Sequence, residues 1–442
     1  MRLPPDTPSI FAESTSPWDA LGDYIQGRSA GRYPVHLTDA DRLHHLYVVG
    51  KTGAGKSTLL ETLMRQDLER GHGFAFLDPH GDLAERLLYR VPRWRLRHTL
   101  YFNPADLEYP MPLNLLAGVA GDRRHLVASA LVSTFKRLWP DSWGPRSEYL
   151  LRNATLALHD VPGATLLDIP RLFTDTSYRA RIVPKLTDPA VRAFWAREYP
   201  GYPANLRAEM IAPLQNKLGA FLVTPTIRNI VGQRTNLFDL RALMDNGHVF
   251  IANLSKGQLG EDTSALLGSL LLTRFLLAAL SRADTPEEER RPFFLYVDEF
   301  PTFSTPATLS AFLSEARKYA TGLALAHQHL APAQVPDELR SAIFGNVATL
   351  AAFQVSAEDA DYLAREFAPT FTREHLTTLP KHHLLLKLTA HGADPFSART
   401  LPPPVPPSAS VQDRSQLLRH SRRHYARPRI LIERSTARNF MA

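Results

Sequence analysis

Two short stretches hold residue types at spacings suited to phosphate chemistry. The first is HLYVVGKTGAGKSTLL, residues 45–60. Its centre, Gly50, Lys51, Thr52, Gly53, Ala54, Gly55, Lys56, Ser57 and Thr58, follows an apolar run and opens a helix-forming one. Glycines there let the backbone wind tightly, so that successive N–H groups face a phosphate chain, and the helix N-terminus adds its dipole. Lys56 would reach the β- and γ-phosphates of ATP, and the Ser57 hydroxyl would ligate Mg2+. A glycine turn with a solvated lysine matches the letters too, but the strand-before, helix-after context favours the phosphate grip. The second stretch is FFLYVDEF, residues 293–300, an apolar strand ending in two carboxylates. Asp298 at the tip can hold Mg2+ through water, and Glu299 is placed to polarise an attacking water. An acidic pair is also common at the exposed end of any strand, and the phosphate loop is what gives this one meaning.

Other polar residues carry weaker signals. Gln328 follows the strand-like GLALAH, where a side chain can contact a γ-phosphate, although an ordinary strand-end glutamine fits as well. Arg317 lies in SEARKYATG on a helix leading to that strand. Its guanidinium could reach a neighbouring subunit's site and neutralise transition-state charge, or simply be a solvated helix-end cation. LDPHGDL ends the second expected strand with Asp78 and Asp82, and for Asp78 a water- or metal-shell role and a turn role are equally open. His327 and His329 flank Gln328 without the spacing of a metal site. Lys256 sits in the polar stretch NLSKGQLGED, either as a pore-lining cation or as a solvated loop lysine. Arg422 and Arg423 lie in HSRRHYARPR, where arginines interleaved with an aromatic suit DNA phosphates and bases, and a protein-docking arm equally well.

These residues need a scaffold, and the apolar pattern supplies one. Buried strands are expected at 46–49, 73–79, 98–104, 248–253, 293–299, 322–327, 348–355 and 384–389, with helices between them, as in a parallel sheet covered on both faces. Residues 122–242 show helical periodicity instead and read as an all-helical insertion. Residues 1–45 read as an irregular lead-in with one short helix, 46–121 and 243–395 as the sheet domain, and 396–442 as a proline-rich linker and basic tail. The tail holds nine arginines against Asp413 and Glu433, which equals the whole formal net charge of +7.

The 442 residues contain no cysteine, which excludes disulfides, thiolate zinc sites and cysteine nucleophiles. The N-terminus lacks a signal-peptide pattern. The most apolar run, 265–280, contains Arg274 and falls short of the roughly 20 residues of a membrane span. A buried helix and a soluble, cytoplasmic chain without an intrinsic membrane span are expected, or one peripheral at a membrane through a partner.

Taken in order, HLYVVGKTGAGKST, LDPHGDL, IANLSKGQLGEDTSALLGSLL, FFLYVDEF, EARKYATGLALAHQ and IFGNVATLAAFQ resemble the FtsK/HerA superfamily of ring-forming ATPases. The chain looks most like the soluble ATPase part of TraG/TraD-type conjugative coupling proteins of type IV secretion. The resemblance implies an α/β, RecA-like P-loop NTPase fold with a mostly parallel central sheet and an all-α insertion domain. It further implies a homo-hexamer with ATP and Mg2+ between subunits, moving single- or double-stranded DNA through a central channel. Lys56 and Ser57 match the family's phosphate-loop pair, Asp298 and Glu299 its acidic motif, and Gln328 its glutamine after the next strand. Arg317 stands where the family places a trans-acting arginine. The chain departs from the family pattern in lacking the usual N-terminal transmembrane pair, and 1–45 is too short for the β-barrel of HerA-like proteins. Two functions follow: an ATP-hydrolysing DNA translocase of conjugative or mobile-element transfer, or an ATP-gated recruitment or assembly ATPase acting on a relaxase, secretion or nuclease partner.

Overall fold

A computed structural model describes residues 9–14, 33–331, 335–389, 394–401 and 411–441. Eleven strands form one sheet: β1 (Ser9–Ser14), β2 (Tyr33–Leu37), β3 (Leu46–Val49), β4 (Gly73–Asp78), β5 (Thr99–Phe102), β6 (Val249–Asn253), β7 (Phe293–Val297), β8 (Thr321–His327), β9 (Thr349–Ala352), β10 (His383–Leu388) and β11 (Phe396–Thr400). Their order is β2-β1-β11-β10-β9-β3-β8-β7-β4-β6-β5. From β9 to β5 every pairing is parallel. From β2 to β9 every pairing is antiparallel. The expected α/β fold with a mostly parallel sheet is therefore the observed one.

The parallel part follows from composition. LYVV, GFAFLD and FFLYV are buried along their whole length, as helices on both faces of such a sheet require. The chain packs as two compact units, one of residues 1–102, 240–255 and 278–420, the other of 103–239, 256–277 and 421–442. In the second, helices dominate, among them Arg124–Leu138, Pro145–His159 and Ala204–Leu222. Phe135, Trp139, Trp143 and Phe221 pack ring against ring inside it.

Three expectations need correction. The lead-in is not irregular where it is described, because β1 and β2 pair with each other and β1 pairs with β11. The sheet also does not stop at 395, since β11 pairs with β10 and β1. These strands are short and only partly apolar, so the backbone ladder rather than an apolar run defines them. Third, the basic tail folds as two helices, Val411–Tyr425 and Arg429–Met441. In the sheet unit Leu417 is fully buried, Arg414 donates to Glu85 at 2.7 Å, and Arg93 pairs with Asp413 at 3.1 Å. In the helical unit Arg422 pairs with Asp106 at 2.6 Å and Arg429 with Glu108 at 3.3 Å. The proline-rich stretch 402–410 lies outside the described residues. The helix Glu261–Ser281 contains the most apolar run. By length and composition it is long enough to cross a membrane, and 89% of its apolar window is buried in the protein.

Candidate functional site

The phosphate loop leaves β3 and enters the helix Lys56–Arg70, whose first turn has no side-chain cap. The orphan N–H groups of that turn are thus free for an anion. Gly53 and Gly55 adopt positive φ, +79° and +132°. A Cβ on Gly55 would come within 2.8 Å of the Phe353 ring and 3.2 Å of His382 Nδ1. Glycine is therefore required by the backbone angle and by the space. The loop is pinned from behind: Lys51 N–H donates to Gln354 O and His382 N–H to Ala54 O, both at 2.8 Å.

Lys56 is buried, and its ammonium donates to the carbonyls of Gly50 and Lys51. Burial lowers its pKa, and Asp298 and Glu299 oppose that shift. Asp298 follows the last residue of β7 and is 6% exposed. Burial first, then Asp78 and Glu299, push its carboxyl up to about 6, while Lys56 pulls it down. Glu299 follows in the left-handed region, φ 46°, with its N–H donating to Asp298 Oδ1 at 3.0 Å. A left-handed backbone at a non-glycine residue is strained, and such strain is typical of functional sites. Asp78 takes the turn role: its two oxygens accept from His80 N–H and Ala84 N–H at 2.9 and 2.8 Å.

Strand order brings the remaining pieces together. β8 lies between β3 and β7, so its tip separates the loop from the acidic pair. Gly50 N–H donates to His327 O at 3.2 Å, and the Thr52 hydroxyl donates to Gln328 Oε1 at 2.7 Å. Gln328 is thus held against the phosphate loop. Ser57 and Thr58 sit half-buried on the first helical turn.

The other sequence candidates lie apart. Arg317 is exposed on the short helix Ala316–Tyr319, before the start of β8. The loop follows the end of β3, and β3 pairs with β8 in parallel, so within one chain Arg317 and Lys56 are at opposite ends of the strands. Lys256 does not sit in a loop but opens the one-turn helix Lys256–Leu259, 3.7 Å from Glu261. Arg422 is held by Asp106, and Arg423 is exposed. Phe353, His382 and the His327 ring line the site, although the sequence assigns none of the three a role there. Their places depend on which strands are neighbours, which no local spacing reveals.

The donor set fits a nucleotide triphosphate with a divalent cation. It offers a glycine-built cradle of N–H groups, one buried ammonium, a first-turn hydroxyl and a buried carboxylate whose pKa is raised chiefly by burial. Among the described residues no group of three or more His, Asp or Glu side chains forms a metal cage.

Comparison with known proteins gives the same direction. A family model described as the type IV secretion-system coupling protein DNA-binding domain matches residues 34–374. Among solved structures, plasmid coupling protein TrwB in complex with ADP and Mg2+ superposes with a TM-score of 0.63 at 15% identity, covering 92% of this chain and 97% of that one. TrwB with the non-hydrolysable GTP analogue GDPNP gives 0.61 at 14% identity, covering 90% and 95%. VirB4 of Thermoanaerobacter pseudethanolicus gives 0.57 at 14% identity, covering 89% and 96%. At such identities the structural likeness speaks for the fold. Comparison with curated proteins finds no match.

Proposed function

The chain belongs to the family of type IV secretion-system coupling protein DNA-binding domains, within the FtsK/HerA P-loop superfamily, and from that premise we propose that it is an ATP-hydrolysing motor that moves DNA. The observation that carries this reading is the neighbourhood of Lys56, Asp298 and Glu299, which act on one another electrostatically at one end of the parallel strands. A binding-only switch needs the first two. The third is the residue that hydrolysis needs.

In this reading the N–H groups of residues 53–58 and the Lys56 ammonium hold the phosphates of ATP. Ser57 and Asp298 hold Mg2+, which when bound offsets charge on the transferring phosphoryl group. Glu299 accepts the proton of the attacking water as its oxygen bonds to the γ-phosphorus and the bond to ADP breaks. Gln328 reports the γ-phosphate to the loop through Thr52, and Arg317 serves the site of an adjacent copy in a ring of six. DNA contact falls to Lys256, Arg422 and Arg423, of which Lys256 and Arg422 each lie beside a carboxylate of the chain, Glu261 and Asp106, and Arg423 is exposed. TrwB is described as a plasmid coupling protein. By analogy the pathway is conjugative or mobile-element transfer, with a relaxase, secretion or nuclease partner and, through it, a place at the membrane.

A second reading, an ATP-gated recruiter of a protein partner, is favoured by one observation: the tail arginines Arg414, Arg422 and Arg429 are paired with carboxylates of the chain itself. Steady-state ATP hydrolysis with and without DNA separates the two. The motor reading expects DNA to stimulate turnover, and Glu299→Gln to reduce it by about 100-fold or more, the range for losing a general base. Turnover indifferent to DNA would move the search to a protein partner.

A further inference from the structure

The sheet order puts the tip of β8 between the two halves of the candidate ATP site. The loop leaves β3 on one side of it and Glu299 follows β7 on the other. Two residues occupy that tip. Gln328 turns to the loop and meets Thr52. His327 does two things at once. Its carbonyl receives the N–H of Gly50, the first glycine of the loop. Its imidazole, fully buried, brings Nε2 to 3.6 Å from Glu299 Oε1. The Phe300 ring lies against that imidazole, with centroids 5.2 Å apart, and gives it an apolar wall.

Glu299 needs such a partner. Its backbone is fixed by the left-handed turn and by the hydrogen bond to Asp298, but neither fixes the carboxylate at the end of a flexible side chain. A general base works only when its oxygen points at the water it deprotonates. A separation of 3.6 Å is a few tenths of an ångström beyond the roughly 3.2 Å limit of a good hydrogen bond, and a small side-chain rotation closes it.

We propose that His327 is a positioning residue for hydrolysis: its buried imidazole aims the Glu299 carboxylate, while its backbone ties that aim to the first glycine of the phosphate loop. This rests on the reading of Glu299 as the general base. The link makes the aim depend on the loop, so a change at Gly50–Thr52 is felt at Glu299 through one residue. A histidine that only fills space would support the fold and nucleotide affinity together. A positioning histidine supports turnover selectively.

The test is ATP hydrolysis by the full chain with DNA, comparing the natural protein, His327→Ala, His327→Gln, His327→Asn, Glu299→Gln and the Glu299→Gln/His327→Ala double variant, with binding of a fluorescent ATP analogue in parallel. Glutamine places an N–H near the position of Nε2, and asparagine does not. We expect His327→Ala to lower kcat about tenfold or more, a part of the general-base contribution, with KM and analogue affinity within about twofold. His327→Gln should recover most of the loss, and His327→Asn should not. In the Glu299→Gln background the added His327→Ala should change single-turnover rates by less than about twofold, since the two residues act as one unit. If His327→Ala does not fold, the Gln and Asn variants decide alone.

Glu299→Gln inactive with His327→Ala unaffected would overturn this inference and leave the base in place. So would a His327→Ala loss that persists undiminished in the double variant, or one that Gln and Asn repair equally. Glu299→Gln as fast as the natural protein would overturn the general-base reading, and this inference with it.

Discussion

His45 cannot take a proton without losing a hydrogen bond. Its Nδ1 accepts from Leu323 N–H at 3.1 Å, so Nε2 carries the proton and donates to Leu313 O at 3.1 Å. The ring is 1% exposed, and burial, with His44 and Arg317 adding to it, lowers its pKa to about 4. An unfolded histidine titrates near 6.5. Between these values the unfolded chain binds more protons, so stability is fully present above about pH 6.5 and is lost as pH falls towards 4. From pH 7 to pH 5 the loss is about 2 kcal/mol from this residue alone. His45→Gln should therefore start less stable at pH 7 yet lose less on acidification, which thermal melts of both proteins at the two pH values would reveal. Equal losses would mean that His45 is not a source of acid sensitivity. Nothing in the sequence around His44-His45 marks it. The phosphate loop, by contrast, was legible because its donors occupy nine consecutive positions, 50–58. His327, Phe353 and His382 were not, because their contacts come from strands distant in sequence.

At the level of elements, the helix that carries Lys56 must be held at its far end if its first turn is to stay in place. Asp67, near that end and fully buried, accepts both NH groups of Arg42 at 2.7 and 2.8 Å and the hydroxyl of Tyr296 on β7 at 2.6 Å. The Arg42 guanidinium lies 3.5 Å over the Phe294 ring. Cutting one partner out of a buried pair costs about 3–5 kcal/mol, because the other charge stays desolvated. Losing one hydroxyl from the network costs about 1–2 kcal/mol. Asp67→Asn should thus lower unfolding stability in denaturant by more than Tyr296→Phe does, and the reverse order would mean that the hydroxyl, not the ion pair, secures the helix. The strands this helix packs near were readable from sequence because both faces of a parallel strand are apolar. SIFAES, YPVHL and FSART were not, since edge and antiparallel strands satisfy one face only. The tail misled for a related reason. Its arginines look unpaired in sequence, and their partners Glu85, Asp106 and Glu108 lie some 300 positions away. Deleting 411–442 would remove buried Leu417 as well as charge, so DNA affinity is better tested by reversing exposed Arg423 alone.

The whole molecule poses the question of where Arg317 acts. It precedes β8, and Gln328, which touches the phosphate loop, follows it. Seven residues of strand separate the two ends by about 20 Å, beyond the reach of any side chain. Arg317 instead lines an open cleft of about 720 Å³ at the opposite end of the strands, with His44, Arg290 and Lys318 among its walls. Lys318 is paired with Glu315, and Arg290 donates to backbone carbonyls of Arg282 and Lys318, whereas Arg317 stands exposed. If that guanidinium serves catalysis it must do so for another copy, which a head-to-tail ring contact provides at every interface. Arg317→Ala and Lys56→Ala should each be inactive alone, the first still binding ATP and the second not. Mixed in equal amounts under assembling conditions, they place an intact loop from one against an intact Arg317 from the other at about a quarter of the interfaces. Turnover should then rise to a fraction of the natural rate while both separate preparations stay silent. A mixture as silent as its parts, or an Arg317→Ala protein that hydrolyses normally by itself, would leave this arginine as a solvated cation at a helix end.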